Sequence, residues 1–151
     1  MALDDMYKEV ILDHYKNPRN KHDLPEAELS CTRNNPLCGD EITVFVHEDR
    51  DTIAQVAFMG AGCSISQSSA SMMTEAVSGK KIDQAKALAA DFRGMMAGEI
   101  EPDEDGLGDL VALKGVVKYP IRIKCAVLAW DVLQEALDSA GTASGSAPHS
   151  V

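Results

Sequence analysis

Residues 42–59, with the sequence ITVFVHEDRDTIAQVAFM, carry the clearest structural signal in this chain. Two runs, 42–47 and 52–59, are rich in β-branched residues and alternate between two faces, as the strands of a half-buried sheet do. The charged group from Glu48 to Asp51 separates them and predicts a hairpin loop. Together with a short strand expected near Leu29–Thr32, this pattern predicts a small antiparallel sheet of about three strands.

Helical patterns flank this sheet on both sides along the chain. An apolar stripe at helical spacing ends before Asn17-Pro18 and predicts an N-terminal helix. Further helices are predicted from about Ser66 to Ser78, with Ser64 and Ser66 as N-caps and Gly79 at the end, from Lys81 to about Met96, around Leu107–Leu113, and after Tyr119-Pro120. The fold class is therefore α+β, with a small sheet between an N-terminal helix and several C-terminal helices. We expect one domain over residues 1–138 and a disordered tail over 139–151, where small and polar residues predominate.

Composition and charge limit the classes of function. The 151 residues carry a formal net charge of −10, whereas nucleic-acid binding needs clustered Lys and Arg. No apolar run approaches the roughly 20 residues of a membrane-spanning helix, and the start of the chain lacks the pattern of a secretion signal. We therefore expect a cytoplasmic protein that binds neither nucleic acid nor membrane. The acidic stretch over 99–109 fits either a solvated loop or a docking patch for a basic partner.

Four cysteines, Cys31, Cys38, Cys63 and Cys125, are the residues most able to carry chemistry. In a reducing compartment they are not expected to pair as disulfides, so they either fill the core or bind metal and react. Cys38 stands in a Cys-Gly-Asp sequence with Asp40, where glycine allows a turn that points a thiol and a carboxylate to one place. Cys63 and Cys125 lie near predicted helix starts, which favour the thiolate. For each cysteine alone, a buried packing role is the alternative.

Considered together, these groups form a plausible ligand set. Three thiolates and one carboxylate suit a tetrahedral Zn²⁺ site, with Zn–S distances of about 2.3 Å. The cysteines lie in predicted loops or at predicted helix ends, where they could converge, although convergence itself is not given by the sequence. The four histidines, in contrast, show no ligand spacing to one another and no hydrolase-like arrangement with a cysteine. They are His14, His22, His47 and His149.

Four segments resemble the IscU-like (NifU N-terminal) iron–sulfur cluster assembly family. They read YKEVILDHYKNPRN, NPLCGDEITVFV, FMGAGCSISQSSASMMTEAVSGK and YPIRIKCAVLAWDVLQEAL, and they span most of the chain. The resemblance implies an IscU-like fold. It also implies that four residues bind zinc, or hold a transient 2Fe–2S cluster through the thiols, and accept sulfur from a cysteine desulfurase. These residues are Cys38, Asp40, Cys63 and Cys125. Cys31 lies outside the family's motifs, and we interpret it as a strand cysteine.

Departures from the family pattern favour its SufU-type branch. IscU-type scaffolds carry a Leu-Pro-Pro-Val-Lys chaperone motif before the last cysteine and a histidine immediately ahead of it. Here the corresponding segment runs from Tyr119 to Ile123, and Lys124 precedes Cys125. The interval between Cys63 and Cys125 is also longer than in those scaffolds. The branch implies a zinc-dependent sulfur acceptor that serves a pyridoxal-phosphate-dependent, SufS-type cysteine desulfurase.

Three functions therefore remain open at the level of sequence. The first is a sulfur relay, in which Cys38 is the catalytic thiol that takes persulfide sulfur from the desulfurase while Asp40, Cys63 and Cys125 retain zinc. The second is a scaffold on which a 2Fe–2S cluster is assembled and passed on to apo-proteins. The third is a domain with a purely structural zinc. Downstream cluster-assembly proteins are further expected partners of the first two.

Overall fold

The structure, a computed structural model, describes residues 2–35, 39–99 and 107–143. Its elements, in chain order, are α1 (Ala2–Lys16), β1 (Leu29–Asn35), β2 (Asp40–Asp49), β3 (Thr52–Ala61), α2 (Ser64–Val77), α3 (Ile82–Met96), a 3-10 helix (Gly108–Lys118) and α4 (Pro120–Ala143). This is the α+β arrangement that the sequence predicts. None of the helices in these described ranges is long and apolar enough to cross a lipid bilayer.

The sheet has three antiparallel strands in the order β1-β2-β3. Its hairpin is tighter than the predicted loop, because Glu48 and Asp49 are still paired with β3. Only Arg50 and Asp51 form the turn, and both have positive φ angles, 55° and 65°. Two positive φ angles characterise the two-residue turn that matches the twist of paired strands.

The core lies on one face of the sheet, beneath the helices. On β2, Ile42, Val44 and Val46 are fully buried and alternate with more exposed residues, as the period of a strand requires. α4 packs against β1 and β2, and α2 packs against β3 and α4. α3 adds an aromatic contact to α4, in which the rings of Phe92 and Trp130 stack with centroids 5.0 Å apart.

The segment between α1 and β1 passes from one edge of the sheet to the other. Asn20 accepts a hydrogen bond from the amide of Phe58 on β3 (2.9 Å). At the far end, Glu28 accepts hydrogen bonds from the amide of Glu48 (2.9 Å) and pairs with His47 (2.8 Å) on β2. These amide and histidine donors keep the pKa of the Glu28 carboxyl below its usual range. This connecting segment is therefore anchored at both ends.

Two helices differ in extent from the prediction. The piece expected at Leu107–Leu113 is a 3-10 helix that continues to Lys118. Leu110, Leu113 and Val116 recur every three residues and are all buried, which fits the three-residue period of this helix type. The last helix continues to Ala143, beyond the predicted domain end at 138, and residues 144–151 of the predicted tail lie outside the described residues.

Candidate metal centre

Asp40 is placed by the strand hydrogen bonds at the beginning of β2. Its backbone pairs with Asn35 at the end of β1, and the residue is only 1% exposed. Gly39, immediately before it, has a φ of 71°, the left-handed conformation that glycine adopts without strain. Gly39 therefore has the turn conformation that the Cys-Gly-Asp sequence predicts for the glycine.

Cys63 follows the end of β3 and is the N-cap residue of α2. The predicted caps, Ser64 and Ser66, are both inside the helix, so that prediction was wrong. The Cys63 side chain makes no capping bond, but its amide donates a hydrogen bond to Asp40 Oδ1 (2.8 Å). A carboxylate from β2 thus satisfies a donor at the start of the helix, where the positive end of the helix dipole also favours a negative charge.

Cys125 lies in the second turn of α4 and is fully buried. Pro120 is the first residue of this helix, a position that suits proline because the missing N–H would have no partner there. The Cys125 thiol contacts the carbonyl of Ile121 one turn earlier (Sγ to O, 3.7 Å). The next residue, Ala126, connects α4 to α2, because its carbonyl accepts a hydrogen bond from Ser69 Oγ (2.6 Å).

These three residues meet at one point. Ligand atoms of Asp40, Cys63 and Cys125 all lie within 4.8 Å of one another. Asp40 Oδ2 and Cys63 Sγ are 3.8 Å apart. Atoms that share a tetrahedral zinc ion are separated by about 3.5–3.8 Å, given metal–ligand distances of about 2.0–2.3 Å. The donor set and its spacing therefore fit a metal ion that prefers thiolate ligands, and within the described residues no other such group of His, Cys, Asp and Glu side chains is found.

The fourth predicted ligand, Cys38, lies outside the described residues, together with Pro36 and Leu37. The chain leaves β1 at Asn35 and enters β2 at Asp40, which is one of the three converging residues. The assignment of Cys38 as a ligand and as the reactive thiol stays a prediction.

Two polar residues of α2 continue the hydrogen bonds that start at Cys63, although the sequence predicts Ser66 only as an N-cap and assigns no role to Gln67. Ser66 Oγ donates to the carbonyl of Cys63 (3.1 Å), and the Gln67 amide group donates to Ser66 Oγ (3.3 Å). Gln67 is only 3% exposed, and its Oε1 has no hydrogen-bond partner in the described structure. The sequence signal for these polar contacts is the run of serines after Cys63, which lacks the apolar spacing of an ordinary surface helix.

Cys31 is separate from the metal centre, as its interpretation as a strand cysteine predicts. It is half-buried on β1, opposite Val44, and it does not belong to the converging group. Burial raises the pKa of the Cys31 thiol, and the nearby Glu135 carboxylate on α4 raises this pKa further.

The histidines have structural contacts in the described part of the chain. His14 is buried, with Nδ1 2.8 Å from Ser71 Oγ and Nε2 3.5 Å from an oxygen of Asp109 on the 3-10 helix. His47 pairs with Glu28, and His22 lies 2.7 Å from the carbonyl of Asp23. His149 and most of the acidic 99–109 stretch lie outside the described residues.

Exposed side chains lie at and just before the start of α4, from Lys118 to Lys124. Tyr119 and Ile121 are 61% and 59% exposed, and they are the most exposed large hydrophobic residues of the described chain. Lys118 and Lys124 are also exposed. This basic and apolar rim, Lys118 to Lys124, immediately precedes the buried Cys125 in a chain that is otherwise acidic.

Comparisons with known proteins identify the relatives of this chain. A family model described as the NifU-like N-terminal domain matches residues 6–126. The zinc-dependent sulfurtransferase SufU of Bacillus subtilis is 48% identical over 133 residues, covering 88% of this chain and 90% of that protein. The iron–sulfur cluster assembly scaffold protein IscU of Streptococcus pyogenes is 44% identical over 141 residues, covering 93% and 88%.

A solved structure supports the same relationship. An iron–sulfur cluster assembly scaffold protein for the SUF system, from Fervidobacterium islandicum, superposes with a TM-score of 0.81 at 36% identity. The match covers 85% of this chain and 94% of that one. The α+β fold expected from the sequence is thus the fold of this solved relative.

Proposed function

Because this chain belongs to the NifU-like N-terminal domain family, we propose that it serves iron–sulfur cluster assembly as a zinc-dependent sulfur acceptor. In this role it takes persulfide sulfur from a cysteine desulfurase. The observation that supports the proposal most directly is the convergence of Asp40, Cys63 and Cys125, whose ligand atoms lie within 4.8 Å of one another. The likeness to the zinc-dependent sulfurtransferase of Bacillus subtilis, at 48% identity, favours this function within the family.

In the proposal, Asp40, Cys63 and Cys125 hold Zn²⁺ and Cys38 completes the ligand set. Bound zinc keeps cysteine ligands deprotonated and protects them from oxidation. Full burial of Cys125 and partial burial of Cys63 suit both residues to retaining an ion rather than to meeting a large donor protein. Cys38 is therefore the thiol that we assign to sulfur acceptance.

The transfer itself is an exchange between sulfur atoms. The Cys38 thiolate attacks the terminal sulfur of the desulfurase persulfide, the donor's S–S bond breaks, and the donor cysteine leaves as a thiolate. Cys38 then carries the persulfide. No external oxidant or reductant is needed, because one S–S bond forms as another breaks.

A kinetic assay with the desulfurase tests the role of Cys38. We expect Cys38→Ala to abolish the stimulation of desulfurase turnover, while Cys31→Ala, which changes a cysteine away from the centre, leaves it intact. Stimulation of equal size with both variants would remove Cys38 from the acceptor role. Metal analysis of the purified wild-type chain accompanies the assay, since the proposal requires tightly bound zinc.

A scaffold function is the second candidate, and the likeness to the Streptococcus pyogenes scaffold protein favours it. Thiolates suit iron–sulfur clusters as well as zinc, so the same residues would serve both functions. Reconstitution of a stable coloured cluster, followed by its transfer to an apo-protein, would support the scaffold. A tightly held and colourless zinc would support the sulfur acceptor.

A pyridoxal-phosphate-dependent cysteine desulfurase of the SufS type is the partner in this proposal. The rim from Lys118 to Lys124 combines exposed apolar and basic side chains beside the metal centre, which suits docking of a protein with an acidic border around its reactive cysteine. A cytoplasmic location, where such a desulfurase would be encountered, stays a prediction from the sequence.

A further inference from the structure

The two oxygens of the Asp40 carboxylate have different surroundings. Oδ1 accepts a hydrogen bond from the amide of Cys63 at 2.8 Å. Oδ2 lies 3.8 Å from the thiol of the same residue. One oxygen therefore holds the start of α2, and the other lies beside the Cys63 thiol.

Gly62 makes this arrangement sterically possible. A Cβ atom built on Gly62 would overlap Asp40 Oδ1 and would lie 2.9 Å from both the Cα and the Cγ of Asp40. Contacts below 3.0 Å are essentially never made by a real Cβ, so the carboxylate occupies the space that any other residue at position 62 would need. The φ of Gly62 is 154°, which L-residues also rarely adopt.

Gly60, near the end of β3, has a different neighbour. A Cβ on Gly60 would overlap the carbonyl of Glu41 and approach the Cα of Ile42, both of which are backbone groups of β2. Gly60 thus allows the two strands to pair closely, whereas Gly62 is the position that faces the carboxylate.

We propose that Gly62 is a positioning residue of the metal centre, and that it lets the Asp40 carboxylate serve as both the anchor of α2 and a metal ligand. Oδ1 fixes the N-terminus of the helix that begins after Cys63, and this leaves Oδ2, the oxygen beside the Cys63 thiol, as the one available to a metal ion. The ligand part of this proposal rests on the proposed function. The anchoring part concerns the metal-free chain and does not depend on zinc.

The experiment compares Gly62→Ala with Gly79→Ala in the full chain. Gly79 has a φ of 80° at the opposite end of α2, and a Cβ there would meet nothing within 4 Å. Alanine at position 79 therefore introduces backbone strain of a similar kind without touching the carboxylate. Zinc affinity is measured by competition with a chelator, and the protection of the Cys63 amide is measured by NMR hydrogen exchange on metal-free protein.

We expect Gly62→Ala to weaken zinc binding by about 10- to 100-fold, the usual effect of disturbing a group that orients a metal ligand. We also expect the Cys63 amide to exchange faster than in the wild type. Gly79→Ala should leave both quantities near their wild-type values. If the two variants bind zinc equally well and protect the Cys63 amide equally, the proposal is overturned.

Variants at position 40 test the two roles of the carboxylate even if Gly62→Ala fails to fold. Asp40→Asn keeps an acceptor oxygen for the Cys63 amide but removes the charge that a metal ligand needs. We expect it to retain slow exchange of that amide while losing zinc affinity. Asp40→Ala should lose both. Exchange of the Cys63 amide at equal rates in Asp40→Asn and Asp40→Ala would refute the anchoring role.

The same data separate this inference from the proposed function. A wild-type chain that binds no zinc, but whose Cys63 amide loses protection in Gly62→Ala, would contradict the zinc-dependent function and support the anchor. A wild-type chain that binds zinc tightly, with no change in Gly62→Ala, would support the function and contradict the inference.

Discussion

At the scale of single residues, the cysteines of this chain differ because their surroundings differ. Cys125 is buried in the second turn of a helix, Cys63 begins a helix against a carboxylate, and Cys31 lies on the first strand of the sheet. Only the first two meet Asp40. In the wild-type chain, Cys31 should therefore react with a thiol reagent at a different rate from the thiols of the metal centre.

Alkylation measures this difference for Cys31. Since burial and the Glu135 carboxylate raise the pKa of the Cys31 thiol, a smaller fraction of it is thiolate at a given pH. We expect iodoacetamide at about pH 8 to modify Cys31 more slowly than an unstructured cysteine peptide, with sites assigned by mass spectrometry.

A matched variant tests the electrostatic part of that cause. Glu135→Gln keeps the size of the side chain but removes its charge, so the pKa of Cys31 should fall and its alkylation at the same pH should become faster. The substitution also removes the ion pair between Glu135 and Arg33 (2.8 Å), which is exposed and contributes little to stability. An unchanged alkylation rate in Glu135→Gln would show that burial alone controls the thiol.

At the scale of elements, α4 is the helix that joins the core to the metal centre. Its early turns carry Cys125, and its middle carries Trp130, which stacks on Phe92 of α3. Arg93 of α3 also bonds to Asp131 (3.0 Å). α3 thus supports α4 through both an aromatic contact and an ion pair.

Truncation of the stacked ring measures that support. Phe92 is fully buried, so Phe92→Ala should lower the free energy of unfolding by about 3–5 kcal/mol, the usual range for removing a large aromatic side chain from a core. Urea denaturation of metal-free protein provides the measurement. Phe45→Ala is the control, because Phe45 on β2 is only partly buried and should lose less. Equal losses in the two variants would contradict the supporting role of α3.

At the scale of the whole molecule, the distribution of charge has a consequence for partners. The chain carries a net charge of −10, yet the rim from Lys118 to Lys124 beside the metal centre contains only basic and uncharged residues. Such local charge accelerates encounter with an oppositely charged surface and loses its effect as salt rises.

Charge reversal on the rim tests whether it docks the desulfurase. We expect Lys118→Glu to reduce the association rate with the desulfurase about 10-fold or more at low salt, and less at high salt. Lys80→Glu makes the same change of charge at an exposed position past the end of α2 and should have little effect. Surface plasmon resonance at two salt concentrations gives the comparison, and equal association rates for both variants would exclude the rim as the docking surface.

The sequence by itself determined the local structure and the kinds of ligand. The alternation over 42–59 encodes the hairpin, because that pattern depends on near neighbours in the chain. A helix around Leu107–Leu113 was also predicted from local spacing, but its 3-10 type and its continuation to Lys118 were not. Three cysteines and one aspartate in loop and helix-end settings also indicated a metal site. The ability of thiolates and carboxylates to bind a metal ion depends on residue type, which the sequence gives directly.

Only the tertiary structure decided which of those atoms meet. Asp40, Cys63 and Cys125 come from the start of β2, the start of α2 and the early turns of α4, and their distances depend on how these remote segments pack. The same packing replaced the serine caps predicted for α2 with the Asp40 carboxylate and made Gly62 indispensable to that contact. Local spacing cannot determine such features, because the free energy that fixes them comes from contacts between segments far apart in the chain.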